Sequence, residues 1–388
     1  MPEAKQYVIA DINLNNSQVE INKREASSDF SSLASYEVIL ESMWQDKKSS
    51  TPLLAISTGP LTGTGAPGTA VCFANYVSPW NGKVSMQLCE GALGPNLRYA
   101  GIDHLILHGQ AEKPITLVIS EEGIELKPAQ EIQDLNIIET TNVLRQQVGD
   151  KAVIACVGSN HVASSPWASV VCDYYNEMEA PGLGRVFYDL GVKALVINGK
   201  SGIALAAPEK FLQEIIGIYQ HCKDFSTPNT KMGAIIRSSY LSPWHKNTFL
   251  ELSAADGLVM DAEFSSPLDK AQLLSITKEA LRQGISRQFL IDFIASTGFD
   301  GSDGPGDLES LLNEMENWNP TIEKVLPNVI QATGLNWKAN FPLPEAIDYA
   351  ARLLKYYSGK EWNSFRLEET GRKIESIYGE MVRRWENG

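Results

Sequence analysis

The sequence predicts an α+β fold: an amino-terminal domain of two packed β-sheets with a few helices, followed by an all-helical region. Two observations carry this. From Gln6 to about Lys200 the apolar residues come in short runs cut by Gly, Pro, Asn and Asp, the pattern of strands joined by turns. After Ala207 the apolar period lengthens from two to about 3.6, and helix start and stop signals take over. With 388 residues the chain is long enough for two or three cores. The expected division is a β-rich domain over 1–205 and a helical part over 206–388, lying against one side of the sheets.

Tyr7–Leu14 and Ser17–Ile21 read as a hairpin turning at Asn15 and Asn16. Seven further strands are expected at Leu53–Ser57, Ala70–Val77, His104–Leu107, Ile115–Ile119, Ile124–Leu126, Val153–Val157 and Ala194–Ile197. Helices are expected to interrupt them at Tyr36–Gln45, Thr140–Val148 and Ser165–Glu179. In the second half Pro208 suits a first helical turn, ahead of Phe211, Leu212, Ile215, Ile216 and Tyr219 on one face. A helix opening at Ser266, Pro267 and Asp269 stops at Gly284, and Ser286 caps another that ends at Gly298. Further helical runs are Asp307–Trp318, Ile322–Thr333, Pro344–Tyr357 and Ser364–Trp385, with Phe299–Asp307 as a loop.

A net charge of −14, with no long run of Lys or Arg, argues against a nucleic-acid partner. No uncharged apolar window approaches the ~20 residues of a membrane span. The amino terminus lacks a cationic segment followed by an apolar one, so a cytoplasmic location is expected. Five widely spaced cysteines without a CxxC suit reduced, mostly buried thiols, and no iron–sulfur cluster is expected.

The loop Gly59–Gly68, GPLTGTGAPG, holds a literal G-x-G-x-x-G at Gly63, Gly65 and Gly68. A strand rather than a helix follows it, so the dinucleotide reading fails and a glycine-rich loop for close backbone approach remains. His104 and His108 in DHLILH share one side of a strand about 13 Å apart, too far to share an ion. They read as unrelated polar positions, and no Ser–His–Asp set or carboxylate dyad can be assembled.

The stretch Ala55–Pro114 carries four ordered motifs: TGPLTGT at Thr58–Thr64, SPxxG at Ser78–Gly82, GPxLxxAG at Gly94–Gly101 and GxAEKP at Gly109–Pro114. Together they resemble the amino-terminal domain of the aldehyde:ferredoxin oxidoreductases. Cys156–Gly158, GLGRVFYDLGVKALV from Gly182, and more weakly TGRKIESIYGEMVRRW near the end, are similar to other family segments. The resemblance implies two facing sheets on which a tungsten atom held by two pterin dithiolenes rests, beneath helical domains with a four-cysteine cluster. It implies aldehyde oxidation to a carboxylate, with electrons leaving to ferredoxin. The glycines matching its cofactor-cradling loops are Gly63, Gly65, Gly68, Gly94, Gly182 and Gly184.

The working positions depart from that pattern. Val71 stands where the family has an arginine and Val77 where it has a lysine, while Leu88 and Glu90 replace an asparagine and a glycine. Phe30–Ala34 has no GGRG, Glu179–Pro181 replace a glycine–arginine loop, the CxxCxxxC is absent, and the last cluster cysteine is replaced near Trp337. The expectation is a non-catalytic family member, binding no cofactor, that acts as a scaffold for a protein partner, a catalytic homologue or itself, or binds a different small ligand. The alternative is an oxidoreductase acting on an aldehyde or oxo group with a modified tungsten or molybdenum pterin site. An assembly subunit without any ligand is a third reading.

Overall fold

The computed structural model describes residues 6–25, 52–79, 82, 84–174, 176–178, 182–224, 270–297, 308–315, 318, 333–335 and 343–387. Its first half runs β1 (Gln6–Asn13), β2 (Gln18–Glu25), β3 (Leu53–Ser57), β4 (Val71–Val77), β5 (Val84–Glu90), α1 (Leu93–Tyr99), β6 (His104–His108), β7 (Ile115–Ser120), β8 (Gly123–Pro128), α2 (Ile137–Val148), β9 (Val153–Cys156), α3 (Asn160–Ala163), β10 (Val170–Cys172), β11 (Asn176–Met178), α4 (Leu183–Leu190) and β12 (Val192–Asn198). Helices α5 (Pro208–Asp224), α6 (Lys270–Gln283), α7 (Arg287–Thr297), α8 (Leu308–Met315), α9 (Leu343–Ser358) and α10 (Ser364–Asn387) follow.

The strands form two six-stranded sheets, ordered β2-β1-β6-β3-β4-β5 and β11-β10-β9-β12-β7-β8. Each is mixed, with one parallel pair, β1–β6 in the first and β7–β12 in the second. Alternation along the strands divides the first sheet's residues between two cores. Ala10, Ile12, Leu54, Ile56, Ala74 and Tyr76 face the second sheet and meet Leu117, Ile119, Val153, Leu195 and Ile197 there. Leu93 and Leu97 of α1 and Val186, Phe187 and Leu190 of α4 join the same core. The opposite face of the first sheet offers Tyr7, Ile9, Leu53, Ala55, Phe73, Met86 and Ile106, which pack under Phe211 and Ile215 of α5, Tyr349 and Leu353 of α9, and Leu367 and Ile374 of α10.

The helical half covers both outer faces rather than one side. Ile154, Val171 and Val196 make the second sheet's outer face apolar too, and Ile137 and Leu144 of α2 with Leu281 of α6 bury it. Around Trp167 a further core gathers Phe289, Phe293 and Leu311, and Trp167 stacks on Trp318 at 5.6 Å. The α6–α7 connection is hydrogen-bonded to this region, Ser286 N to Trp167 O and Ser169 N to Gly284 O.

The expected hairpin and seven strands are all present, β2 running on to Glu25. The helix expected over Ser165–Glu179 is not: Val170–Cys172 and Asn176–Met178 form β10 and β11, with β-branched Val170 pairing with Met178 of β11 and Val171 with Cys156 of β9. Strand β5 and helices α1, α3 and α4 were not expected from the sequence. Tyr36–Gln45, Phe299–Asp307 and all but Thr333 of Ile322–Thr333 lie outside the described residues.

Candidate functional site

Four of the departures, at Val71, Val77, Leu88 and Glu90, fall on one pair of strands. Strands β4 and β5 pair Val71 with Glu90, Phe73 with Leu88, Asn75 with Met86 and Val77 with Val84. Since Phe73 and Met86 face the helices, so do the positions of Val71, Val77, Leu88 and Glu90. Val71 is buried and Val77 packs against the apolar core under α5, α9 and α10. No lysine or arginine occupies an outward-facing position on β3 to β6.

At one end of this face lies the Gly59–Gly68 loop, whose polar backbone is largely committed. Arg98 of α1 donates from Nη1 to the carbonyls of Gly59, Pro60 and Thr62, at 3.2, 2.6 and 3.2 Å. The amides of Leu61, Thr62, Gly63 and Thr64 bond to Thr333 O, Gly59 O, Thr69 O and Leu61 O, and the Gly59 amide to Thr62 Oγ1. Tyr99 donates its hydroxyl to Gly63 O.

The structure brings Gly63 against α1, where a Cβ would meet Pro95 Cα, the residue after Gly94, at 3.2 Å. Gly63, Gly65 and Gly68 all have φ near +80°, which only glycine adopts without strain. Gly94 packs α1 onto β4, where a Cβ would meet Val71 O at 2.3 Å. Gly184 packs α4 against the backbone of Ala168, at 2.5 Å from a Cβ, and Gly182 is the left-handed residue that starts that helix. Gly65 faces open space, with nothing within 4 Å of a Cβ.

Three polar side chains on the same sheet face stand out. His104 on β6 lies directly opposite Ser57 on β3, and Asn75 on β4 sits two residue pairs further along, opposite Ala55. Their exposures are 1, 5 and 1% for His104, Ser57 and Asn75. None of their side-chain nitrogen or oxygen atoms has a hydrogen-bond partner among the described residues. The His104 ring meets Tyr7 edge-on at 5.6 Å, and burial pushes its pKa down to about 4, against the opposing pull of Asp103 and with help from the Arg98 charge, so the imidazole is neutral. His108 instead sits 3.0 Å from Asp11 Oδ1. Sequence reasoning dismissed His104 and overlooked Ser57 and Asn75. The available signal was a polar residue at a helix-facing position of an otherwise apolar strand.

Among the described residues no group of three or more His, Cys, Asp or Glu side chains could hold a metal ion. Cys72, Cys89, Cys156 and Cys172 are all free and buried. Phe30–Ala34, Glu179–Pro181 and Trp337 lie outside the described residues. Among the described residues, no helix is long and apolar enough to cross a membrane.

Residues 9–199 match the family model described as aldehyde ferredoxin oxidoreductase, N-terminal domain. The tungsten-containing aldehyde ferredoxin oxidoreductase of Pyrococcus horikoshii is 32% identical over 163 residues, 42% of this chain and 27% of that protein. The aliphatic sulfonate oxidoreductase, WOR-like subunit, of Pyrococcus furiosus is 32% identical over 160 residues, 38% of this chain and 25% of that one. The chain thus spans about a quarter of the length of these relatives. A solved structure, the active-site complex BamBC of benzoyl coenzyme A reductase with 1,5-dienoyl-CoA, aligns at 21% identity and TM-score 0.49, covering 57% of this chain and 36% of that one. Residues 9–199 thus belong to the aldehyde ferredoxin oxidoreductase N-terminal domain family.

Proposed function

We propose that this protein is a non-catalytic member of its family, serving as a scaffold or partner-binding subunit. The carrying observation is the outer face of β4 and β5: Val71 and Val77 stand where the resemblance calls for phosphate-binding cations, and Val71 is buried while Val77 packs against the apolar core beneath α5, α9 and α10. Two phosphate-bearing pterins fit poorly on such a surface. A buried dianion without donors costs several kcal/mol or more. The nearby cation, Arg98, is already spent on loop carbonyls, and five amides of that loop already have acceptors in the protein. The residues present therefore do not fit tungstopterin, and no reaction step is derived through it.

In this reading the division near residue 205 separates a retained sheet domain from a shortened helical cover. Gly63, Gly65, Gly68, Gly94, Gly182 and Gly184 are remnants of cofactor-cradling loops that now serve backbone packing. No cofactor and no iron–sulfur cluster is bound, and the location is cytoplasmic. The partner is a protein, a catalytic homologue or a second copy; that one relative is named as a subunit supports this.

The second reading, an oxidoreductase acting on an aldehyde or oxo group with a modified tungsten or molybdenum pterin site, is favoured by the unpartnered Ser57, Asn75 and His104 on the same face. Metal analysis of protein purified anaerobically from its native source decides between them. Tungsten, molybdenum and iron far below one atom per chain are expected. Stoichiometric tungsten or molybdenum would overturn the non-catalytic reading.

A further inference from the structure

We infer that Ser57, Asn75 and His104 form a buried site for a small uncharged ligand of the amide class, carrying a carbonyl and an N–H side by side. The three residues lie on adjacent strands and on one face of the first sheet. Side chains directly opposite across a strand pair, as His104 and Ser57 are, stand about 5 Å apart, and diagonal neighbours such as Ser57 and Asn75 about 7–8 Å. His104 and Asn75, two strands and two positions apart, stand about 12 Å apart at the backbone, so a small molecule over Ser57 meets all three where the longer imidazole and carboxamide lean in toward it.

Five side-chain atoms are left without partners: Ser57 Oγ, Asn75 Nδ2 and Oδ1, and His104 Nδ1 and Nε2. Native proteins rarely tolerate such dry polar atoms in a group, so a polar occupant between them is the physical expectation. The donor set describes that occupant. The Asn75 carboxamide offers donors and an acceptor, the neutral imidazole one of each, and the Ser57 hydroxyl either. All are uncharged. An anion would meet no lysine or arginine on β3 to β6, Arg98 beside His104 is held by three loop carbonyls and Asp103, and Asp11 and His108 on this face are paired with each other. Tyr7, Ala55, Phe73 and Ile106 make the surroundings apolar and aromatic, which favours a flat molecule with one polar edge.

The inference rests on the reading above, that this face does not hold tungstopterin, and the two are tested separately on one preparation. The full chain, labelled with [15N]histidine, is titrated with 2-pyrrolidone and N-methylacetamide, with acetate as the charged comparison. The His104 ring nitrogens, assigned with His104→Phe, should shift saturably with the amides and not with acetate. Asn75→Leu and His104→Phe should weaken amide binding at least tenfold, while the thermal midpoint of the ligand-free protein stays level or rises. A site filled by water only would give no saturable shift in metal-free protein and would overturn the inference. So would variants that lose thermal stability without altering amide affinity, since the polar groups would then serve an internal network. Stoichiometric tungsten in the same preparation would instead sink the non-catalytic reading.

Discussion

The Arg98 guanidinium reaches the Tyr357 hydroxyl at 3.1 Å, joining the glycine loop of the sheet domain to helix α9. The same side chain serves three loop carbonyls and stands 3.4 Å from Asp103, while Asp103 accepts the Val8 amide. A lysine cannot reproduce this planar fork. Arg98→Lys should therefore destabilise the protein by about 2–4 kcal/mol, because several partly buried acceptors lose their donor. Tyr357→Phe, which removes one bond, should cost about 1 kcal/mol. Chemical denaturation of the variants checks both, and equal losses would refute the assignment.

The glycines divide by what surrounds them. Gly94→Ala and Gly184→Ala would drive a methyl group to 2.3 Å from Val71 O and 2.5 Å from the Ala168 carbonyl carbon, so helix and strand must separate. Each should cost roughly 3 kcal/mol or more, the scale of an overpacked core. Gly65→Ala meets nothing within 4 Å and carries only the strain of φ +81°, about 1 kcal/mol. Thermal midpoints in that order would support a packing role for Gly94 and Gly184.

How far these features were legible in the sequence depends on where the signal sat. The sheet domain was readable because β1, β3, β4 and β6 alternate under two cores, and four family motifs fall in order between Thr58 and Pro114. The hairpin β10–β11 was not, since its turn uses Asp173 and Tyr174 at φ +48° and +77° and so lacks the glycine that would announce it. Helix α1 hides behind Gly94, Pro95 and Asn96, poor helix formers, of which Gly94 is required by close packing on β4. Strand β5 alternates cleanly from Val84 to Glu90 and was simply overlooked. The polar trio was legible only as three separate oddities, because what unites Ser57, Asn75 and His104 is strand register.

His104 gives stability a pH dependence. Its native pKa near 4 lies below the 6.5 of an unfolded histidine, so between these values the unfolded chain binds a proton that the native protein refuses. The contribution is fully present above about pH 6.5 and is lost as the pH falls toward 4, by about 3 kcal/mol in all. His104→Phe should show a shallower decline than the parent across that window. Parallel denaturation curves from pH 7 to 4 would show that the buried imidazole is not responsible.

The thiols should be inert. A hydrogen bond to Cys72, together with burial, raises the Cys89 pKa; burial raises that of Cys172 and pushes that of Cys156 up to about 11. Because the thiolate is the reactive form, iodoacetamide at pH 8 should leave these three unmodified while a denatured control loses all five cysteines. Peptide mass mapping reads the result, and prompt alkylation of Cys89 in folded protein would contradict this burial.

Restoring the missing cations tests the central reading most directly. In Val71→Arg a guanidinium enters a position that is 1% exposed, so the variant should lose about 2–4 kcal/mol through unpaired buried charge. Val77→Lys, at a half-buried position, should lose less. A charge-assisted hydrogen bond to phosphate returns about 1.5–3 kcal/mol, so two cations together would strengthen retention of a pterin phosphate by roughly a hundredfold or more. The expected pattern is no thermal shift when the unmodified protein meets released pterin cofactor, and a rise in the midpoint of the double variant. If the double variant gained nothing, missing charge would not be what bars the cofactor from this face, and the packing of α5 and α9 over it would have to be the obstacle. Tight stoichiometric retention by the unmodified protein would refute the non-catalytic reading, since loop amides alone would then suffice to hold the phosphates.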